Sequence, residues 1–228
     1  MRLLDRSRPP RSIAARLEAA AVFAFDWDGT LIDSFARTMA TYRELFGHFE
    51  IPFDETEFRA QYAPDWRRIY RRVGLPEARW PEADRRWVAI YETEVAQLVE
   101  GAAAAIAGLR RRGVRTAVVT AGHRARVELE MRATGLDGAF DAVVFGDEVP
   151  HQKPDPAPVQ MAARYLRTAP TDMVLVGDAM DDMTMARRAG ATAVGVLTGA
   201  AERGRLRKAG AQWVAPTVTA VIVASGRV

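Results

Sequence analysis

The chain has 228 residues, 49% of them hydrophobic, a net charge of only +3 and no cysteine. That length suits one core domain with a smaller insertion, and the lack of cysteine excludes a disulfide framework and thiol catalysis. The basic residues are arginines except Lys153 and Lys208, and acids are interspersed among them, so they read as solvated helix faces rather than a nucleic-acid stripe.

Met1 to Arg16 carries five arginines with no apolar stretch behind them, which argues against a secretory signal. Residues 1–20 are read as an N-terminal extension without an assigned role. No apolar run is long enough to span a membrane, and a cytoplasmic protein is expected. The first strand is Ala21 to Phe25. It ends at Asp26-Trp27-Asp28-Gly29-Thr30. Residues i and i+2 of a strand point the same way, so two carboxylates meet where the strand stops. They repel, and the site needs a cation or a shared proton.

Residues 34–100 show apolar residues at helical spacing, including Trp66, Tyr70, Trp87, Ile90 and Tyr91, and no strong strand. They read as an inserted helical cap whose helices are separated near Pro52, Pro64, Pro76 and Pro81. From residue 101 a single grammar repeats: strand, polar tip, helix. Strands are predicted over 114–119, 142–145, 173–176 and 193–197, with helices over 124–134, 157–166, 180–189 and 201–209. Gly113, Gly135, Gly190 and Gly210 sit where helices should end. Apolar strands alternating with helices predict an α/β fold, a Rossmann-like parallel sheet covered on both faces. The core is then residues 21–33 and 101–228, with the cap at 34–100.

The carboxyl ends of parallel strands face one crevice, so the strand tips define a candidate site. They are Asp26 and Asp28; Thr120, Ala121 and Gly122; and Asp178 with Asp181 and Asp182. Lys153 follows in a nearby loop. This inventory suits a hard cation bridging protein and phosphate. Trp27 reads as packing behind the site. His48, His123 and His151 lack metal-ligand spacing and read as peripheral, with His123 nearest the rim.

The segment Asp26-Trp27-Asp28-Gly29-Thr30-Leu31-Ile32-Asp33-Ser34 resembles motif I of the haloacid dehalogenase-like phosphohydrolases. Val118-Val119-Thr120-Ala121 resembles motif II, Lys153-Pro154-Asp155-Pro156 motif III, and Gly177-Asp178-Ala179-Met180-Asp181-Asp182 motif IV. The helical insertion is similar to the small cap of phosphoglycolate-phosphatase-like members. The resemblance implies a Mg²⁺-dependent phosphomonoester hydrolase, a monomer or homodimer, acting on a small-molecule phosphate ester, with 2-phosphoglycolate a candidate by analogy.

It further implies that Asp26 is the nucleophile and forms an aspartyl-phosphate, and that Asp28 is the acid and base. Thr120 and Lys153 hold phosphoryl oxygens with backbone N–H groups near Gly29 and Ala121. The metal falls to Asp26, the Asp28 backbone carbonyl and Asp178, with Asp182 or Asp181 orienting water on it or pairing with Lys153. Asp28 argues against a dehalogenase, and the lack of lysine between Ser34 and Glu100 argues against a Schiff-base phosphonatase. A sugar-phosphate mutase and a catalytically silent scaffold remain alternatives. Within the cap, the segment from Tyr62 to Arg71, with Arg67, is the candidate for recognising a small anionic or polar leaving group.

Overall fold

The computed structural model describes residues 8–61, 66–91, 96–199 and 201–227. Strand β1 (Val22–Phe25) is buried along its whole length. Its side chains alternate between two apolar clusters, Phe23 and Phe25 on one face, Val22 and Ala24 on the other. This is the period of two that places one strand between two layers. Around it lie β2 (Arg115–Val119), β3 (Ala142–Val144), β4 (Met173–Gly177), β5 (Thr192–Val196) and β6 (Trp213–Ala215). The sheet is entirely parallel, in the order β3-β2-β1-β4-β5-β6. Phe25 is in register with Val118 of β2 and Val176 of β4. The ends of the three central strands therefore lie level with one another.

Helices α1 (Arg11–Ala19), α6 (Ala102–Arg111), α7 (Arg124–Thr134) and α11 (Val218–Ala224) cover one face, contributing Leu17, Ile106, Val127 and Val221 to its cluster. Helices α8 (Ala157–Tyr165), α9 (Met180–Ala189) and α10 (Arg203–Ala209) cover the other with Val159, Met183 and Leu206. The strands and helices expected after residue 113 are observed with ends shifted by no more than two residues, the normal fraying of element boundaries. Helix α1 differs from the expectation of an extension outside the core: Leu17 is fully buried and Ile13 nearly so. Its apolar residues at i and i+4 form a short stripe, which the sheet face covers. Helix α6, strand β6 and helix α11 add to the elements expected from the sequence. Among the described residues no helix is long and apolar enough to cross a membrane.

The insertion contains α2 (Phe35–His48), α3 (Glu55–Gln61), α4 (Trp66–Arg72) and α5 (Trp80–Tyr91). They enclose their own cluster, centred on Tyr42, Leu45, Phe46, Phe58, Ile69 and Tyr70. Pro81 lies inside the first turn of α5 rather than between helices, where its missing N–H removes no intrahelical bond. Pro64 lies outside the described residues. The chain leaves and re-enters the core side by side. Asp33 N donates to Gln97 O and Val99 N to Leu31 O, each at 2.9 Å, and Ile32 bridges Leu98 antiparallel. This paired crossing sets the insertion over the carboxyl ends of β1, β2 and β4.

Candidate active site

Asp26 follows the last residue of β1, and its backbone N–H still donates to Val176 O of β4 at 2.9 Å. Its side chain is buried. Lys153 Nζ donates to Asp26 Oδ1 at 2.6 Å and lies 2.7 Å from Asp182 Oδ1. The other oxygen of Asp182 accepts from Ala179 N at 3.0 Å, so Asp182 ties the start of α9 to the ammonium. Asp178 completes the group: one ligand atom each from Asp26, Asp178 and Asp182 lies within 4.8 Å of the others. Asp181, the neighbouring acid, points elsewhere and pairs with Arg68 of α4 at 2.7 Å.

Burial is the largest influence on Asp26. With Asp182 it pushes the Asp26 carboxyl well above the usual carboxylate range, against the pull of Lys153. Burial alone would lower Lys153, but Asp182 and Asp26 outweigh it and hold the ammonium charged. Three carboxylates against one ammonium leave an excess of two negative charges in a buried place. A divalent cation cancels that excess, and oxygen-only donors suit a hard ion. The donor set therefore fits Mg²⁺.

Glycines make room for this packing. Gly29 has φ of +74°, and a Cβ there would lie 2.6 Å from Asp178 Oδ2. At Gly199 the same atom would be 1.9 Å away. Thr30 Oγ1 donates to Asp178 Oδ1 at 3.3 Å, and Thr198 Oγ1 to Gly29 O at 2.6 Å. Loops after β1, β4 and β5 thus lock Asp178 in place.

Thr120, at the tip of β2, is buried and accepts from Gly122 N at 2.9 Å through Oγ1. It shapes its own loop with Ala121 rather than capping α7, whose N-cap is His123. Asp26, Asp28, Thr120, Ala121 and Asp178 all line one cleft between core and insertion.

The Asp28 carboxylate is not in the acid cluster. Arg126 of α7 holds it with both terminal nitrogens, Nη2 to Oδ2 at 2.5 Å and Nη1 to Oδ1 at 3.1 Å. Burial opposes the charge, but the Arg126 guanidinium outweighs it and keeps Asp28 below the usual carboxylate range. Arg126 Nη1 also contacts Glu130 Oε2 at 3.0 Å. Glu130 accepts from Trp27 Nε1 at 2.8 Å and from Arg37 of α2 at 2.7 Å, and the Arg37 guanidinium stacks 3.7 Å above the Tyr91 ring of α5. A buried network therefore runs from Asp28 into the first and last helices of the insertion.

The sequence reading did not single out Arg126, Glu130 or Arg37. The i,i+4 spacing of Arg126 and Glu130 signals a helical pair, but nothing local shows that the pair faces Asp28. Trp27 is fully buried, as expected, and its ring nitrogen also serves the network. Arg67 does not line the cleft that holds Asp26. It lines an adjoining one with Arg68, His151 and Lys153, which shares Trp66 and His123 with the first; Ile69 and Tyr70 take the buried face of α4. Tyr62, Ala63, Pro64 and Asp65 lie outside the described residues. His48 contacts Glu82 on the surface of the insertion, and His123 stands at the rim of both clefts.

The haloacid dehalogenase-like hydrolase family model matches residues 23–196. The chain is 32% identical over 180 residues to a phosphoglycolate phosphatase of Nitrosospira multiformis, covering 72% of this chain and 78% of that protein. It is 29% identical over 182 residues to the pyrophosphatase PpaX of Bacillus velezensis, covering 75% and 81%. A solved hydrolase from Pseudomonas syringae superposes with a TM-score of 0.83 at 25% identity, over 90% of this chain and 96% of that one. With that family model matched over most of its length, the chain belongs to the haloacid dehalogenase-like hydrolases.

Proposed function

We propose that this chain is a Mg²⁺-dependent phosphomonoesterase that works through an aspartyl-phosphate on Asp26. A phosphatase activity follows from family membership and from the relatives, whose names are those of a phosphoglycolate phosphatase and a pyrophosphatase. The observation that carries the finer reading is the buried set Asp26, Asp178 and Asp182 around the Lys153 ammonium, at the floor of a cleft.

In this reading an Asp26 oxygen attacks phosphorus in line and the P–O bond to the alcohol breaks. The alcohol oxygen takes its proton from Asp28. Water then attacks the aspartyl-phosphate, its proton passes to Asp28, and phosphate leaves with Asp26 restored. Lys153 places positive charge beside the phosphoryl oxygens, and the Thr120 hydroxyl and the N–H groups near Gly29 and Ala121 donate to them. Mg²⁺, when bound by Asp26, Asp178 and the Asp28 backbone carbonyl, neutralises charge between the anionic nucleophile and the anionic ester. Asp28 held by Arg126 is in its ionised form, the form that accepts the proton from water. To act as the acid it must be protonated and released from that guanidinium.

The reading is tested with acetyl phosphate and p-nitrophenyl phosphate, with Mg²⁺ and with EDTA. Phosphate release in Mg²⁺ that stops in EDTA, and a phosphoryl mass addition mapped to Asp26 after rapid acid quench, are expected. Equal rates in EDTA, or a label on another residue, reject it. On hexose phosphates, isomer formation without free phosphate identifies a mutase instead.

A further inference from the structure

We propose that the alcohol half of the substrate is an uncharged, ring-bearing or bulky apolar group, held against an aromatic wall of the insertion. This deepens the phosphatase reading and rests on it. The cleft that contains Asp26, Asp28 and Thr120 is about 200 Å³. Its far wall is formed by Tyr42, Trp66, Tyr70, Trp87 and Val88 of the insertion. These rings support one another. Trp66 and Tyr70 centroids are 5.3 Å apart, and those of Tyr42 and Trp87 are 6.0 Å apart. Trp87 is also stacked on Tyr91 at 4.4 Å. The wall is therefore preformed, and it lines the same cleft as Asp26.

The charges of the cleft point the same way. Among the described lining residues the insertion contributes one ionisable acid, Asp84. Tyr70, His123, Arg67 and Arg85 all favour its charged form, yet burial outweighs them and raises its pKa. The environment thus resists even the negative charge already there. Against that wall an anionic alcohol half would add to it, and the guanidinium that lines the same cleft, Arg126, is committed to Asp28 and Glu130. Arg67 lines the adjoining cleft, with Lys153. Walls lined predominantly by aromatic side chains are the usual make-up of a small-molecule pocket.

The test compares alkyl esters in Mg²⁺, phenethyl phosphate, ethyl phosphate and 2-phosphoglycolate, beside the anhydride pyrophosphate, with acetyl phosphate as a ring-free measure of the chemistry. The expected kcat/KM for phenethyl phosphate exceeds that for ethyl phosphate by roughly ten- to hundredfold, the value of burying one ring. It also exceeds those for the two anionic compounds. Trp87→Ala should collapse the phenethyl-to-ethyl ratio towards one. Should that variant fail to fold, Val88→Asp, at a position 38% exposed, should lower the same ratio by charging the wall. Turnover of acetyl phosphate with equal rates on the two alkyl esters, or with 2-phosphoglycolate or pyrophosphate preferred, overturns the proposal and leaves the phosphatase reading intact. No turnover of any compound, acetyl phosphate included, rejects the phosphatase reading and this proposal with it.

Discussion

Asp26 and Asp28 stand two residues apart at one strand end, and their surroundings drive them in opposite directions. Asp26 is sealed with two further acids, and burial pushes its carboxyl up despite Lys153. Asp28 faces the insertion side of the site, where Arg126 outweighs burial and holds it ionised. Without metal the proposed nucleophile has the raised carboxyl and the proposed acid the lowered one, the reverse of the usual order, so the two proposed roles require a cation beside Asp26 and release of Asp28 from Arg126. The acid cluster is built within the core, from loops after β1, β4 and β5 and from Lys153. The Asp28 side is built jointly with the insertion, through Glu130, Arg37 and Tyr91. The cluster is thus set by the core alone, whereas the position of Asp28 is linked to that of the insertion.

The difference can be broken at its centre. Asp26→Asn should lower kcat by about a thousandfold or more, since the amide is a poor nucleophile. The metal-free variant should melt higher than the parent at neutral pH, because one of three crowded charges is gone. The sign follows from linkage. A carboxyl raised in the folded state binds more protons there than when unfolded. Stability is then lost as pH rises from the ordinary carboxylate range towards the folded value. Asp28 has the opposite slope, its contribution being lost as pH falls towards its lowered folded value. Metal-free melting curves of the parent and of Asp26→Asn against pH check this. An unchanged pH dependence in Asp26→Asn contradicts the assignment.

Next in size is Arg126→Met. If the guanidinium positions Asp28, kcat on an alkyl ester such as phenethyl phosphate should fall on the order of a hundredfold. On p-nitrophenyl phosphate, whose leaving group needs little protonation, the loss should be only severalfold. Equal losses on both would make Arg126 a structural residue alone. Lys153→Arg should cost a comparable factor on both substrates, because Lys153 sits within 2.7 Å of two carboxylates in a sealed place that a broad planar fork does not fit. Lys208→Arg is the control and should be indistinguishable from the parent.

Gly199→Ala probes the metal side alone. Its Cβ would collide with Asp178, so Mg²⁺ dependence should shift to roughly ten- to hundredfold higher concentrations, read as the Mg²⁺ concentration for half-maximal rate. The smallest effect on chemistry is expected from Leu17→Ala. It should lower stability by about 2–5 kcal/mol, measured by denaturant unfolding, with kcat/KM within about twofold of the parent.

Much of the architecture was legible in the residues. Apolar runs ending in acids, glycines at helix ends and the switch to helical spacing after residue 34 carry five of the strands and the insertion locally, because each is a short-range pattern, whereas the order of the strands in the sheet is tertiary. Asp26, Thr120, Asp178, Asp182 and Lys153 were legible as a set because parallel strands deliver their tips to one edge. The short elements were less so. Helix α1 carries a stripe of only two buried residues, and β6 is three residues long; neither length gives a period enough room to show.

Only the tertiary structure decided what each charged group meets. Arg126, Arg37 and Glu130 look in sequence like three more members of an arginine-rich, acid-interspersed surface. Folding buries them around Asp28, where each costs desolvation and must be paired. Arg67 lines the cleft that reaches Lys153, Tyr70 the one that holds Asp26, and Trp66 both. The residue types and their spacing thus determined where the chemistry sits. Which partners tune it depends on contacts between residues as far apart as 169 positions, and no local pattern encodes those.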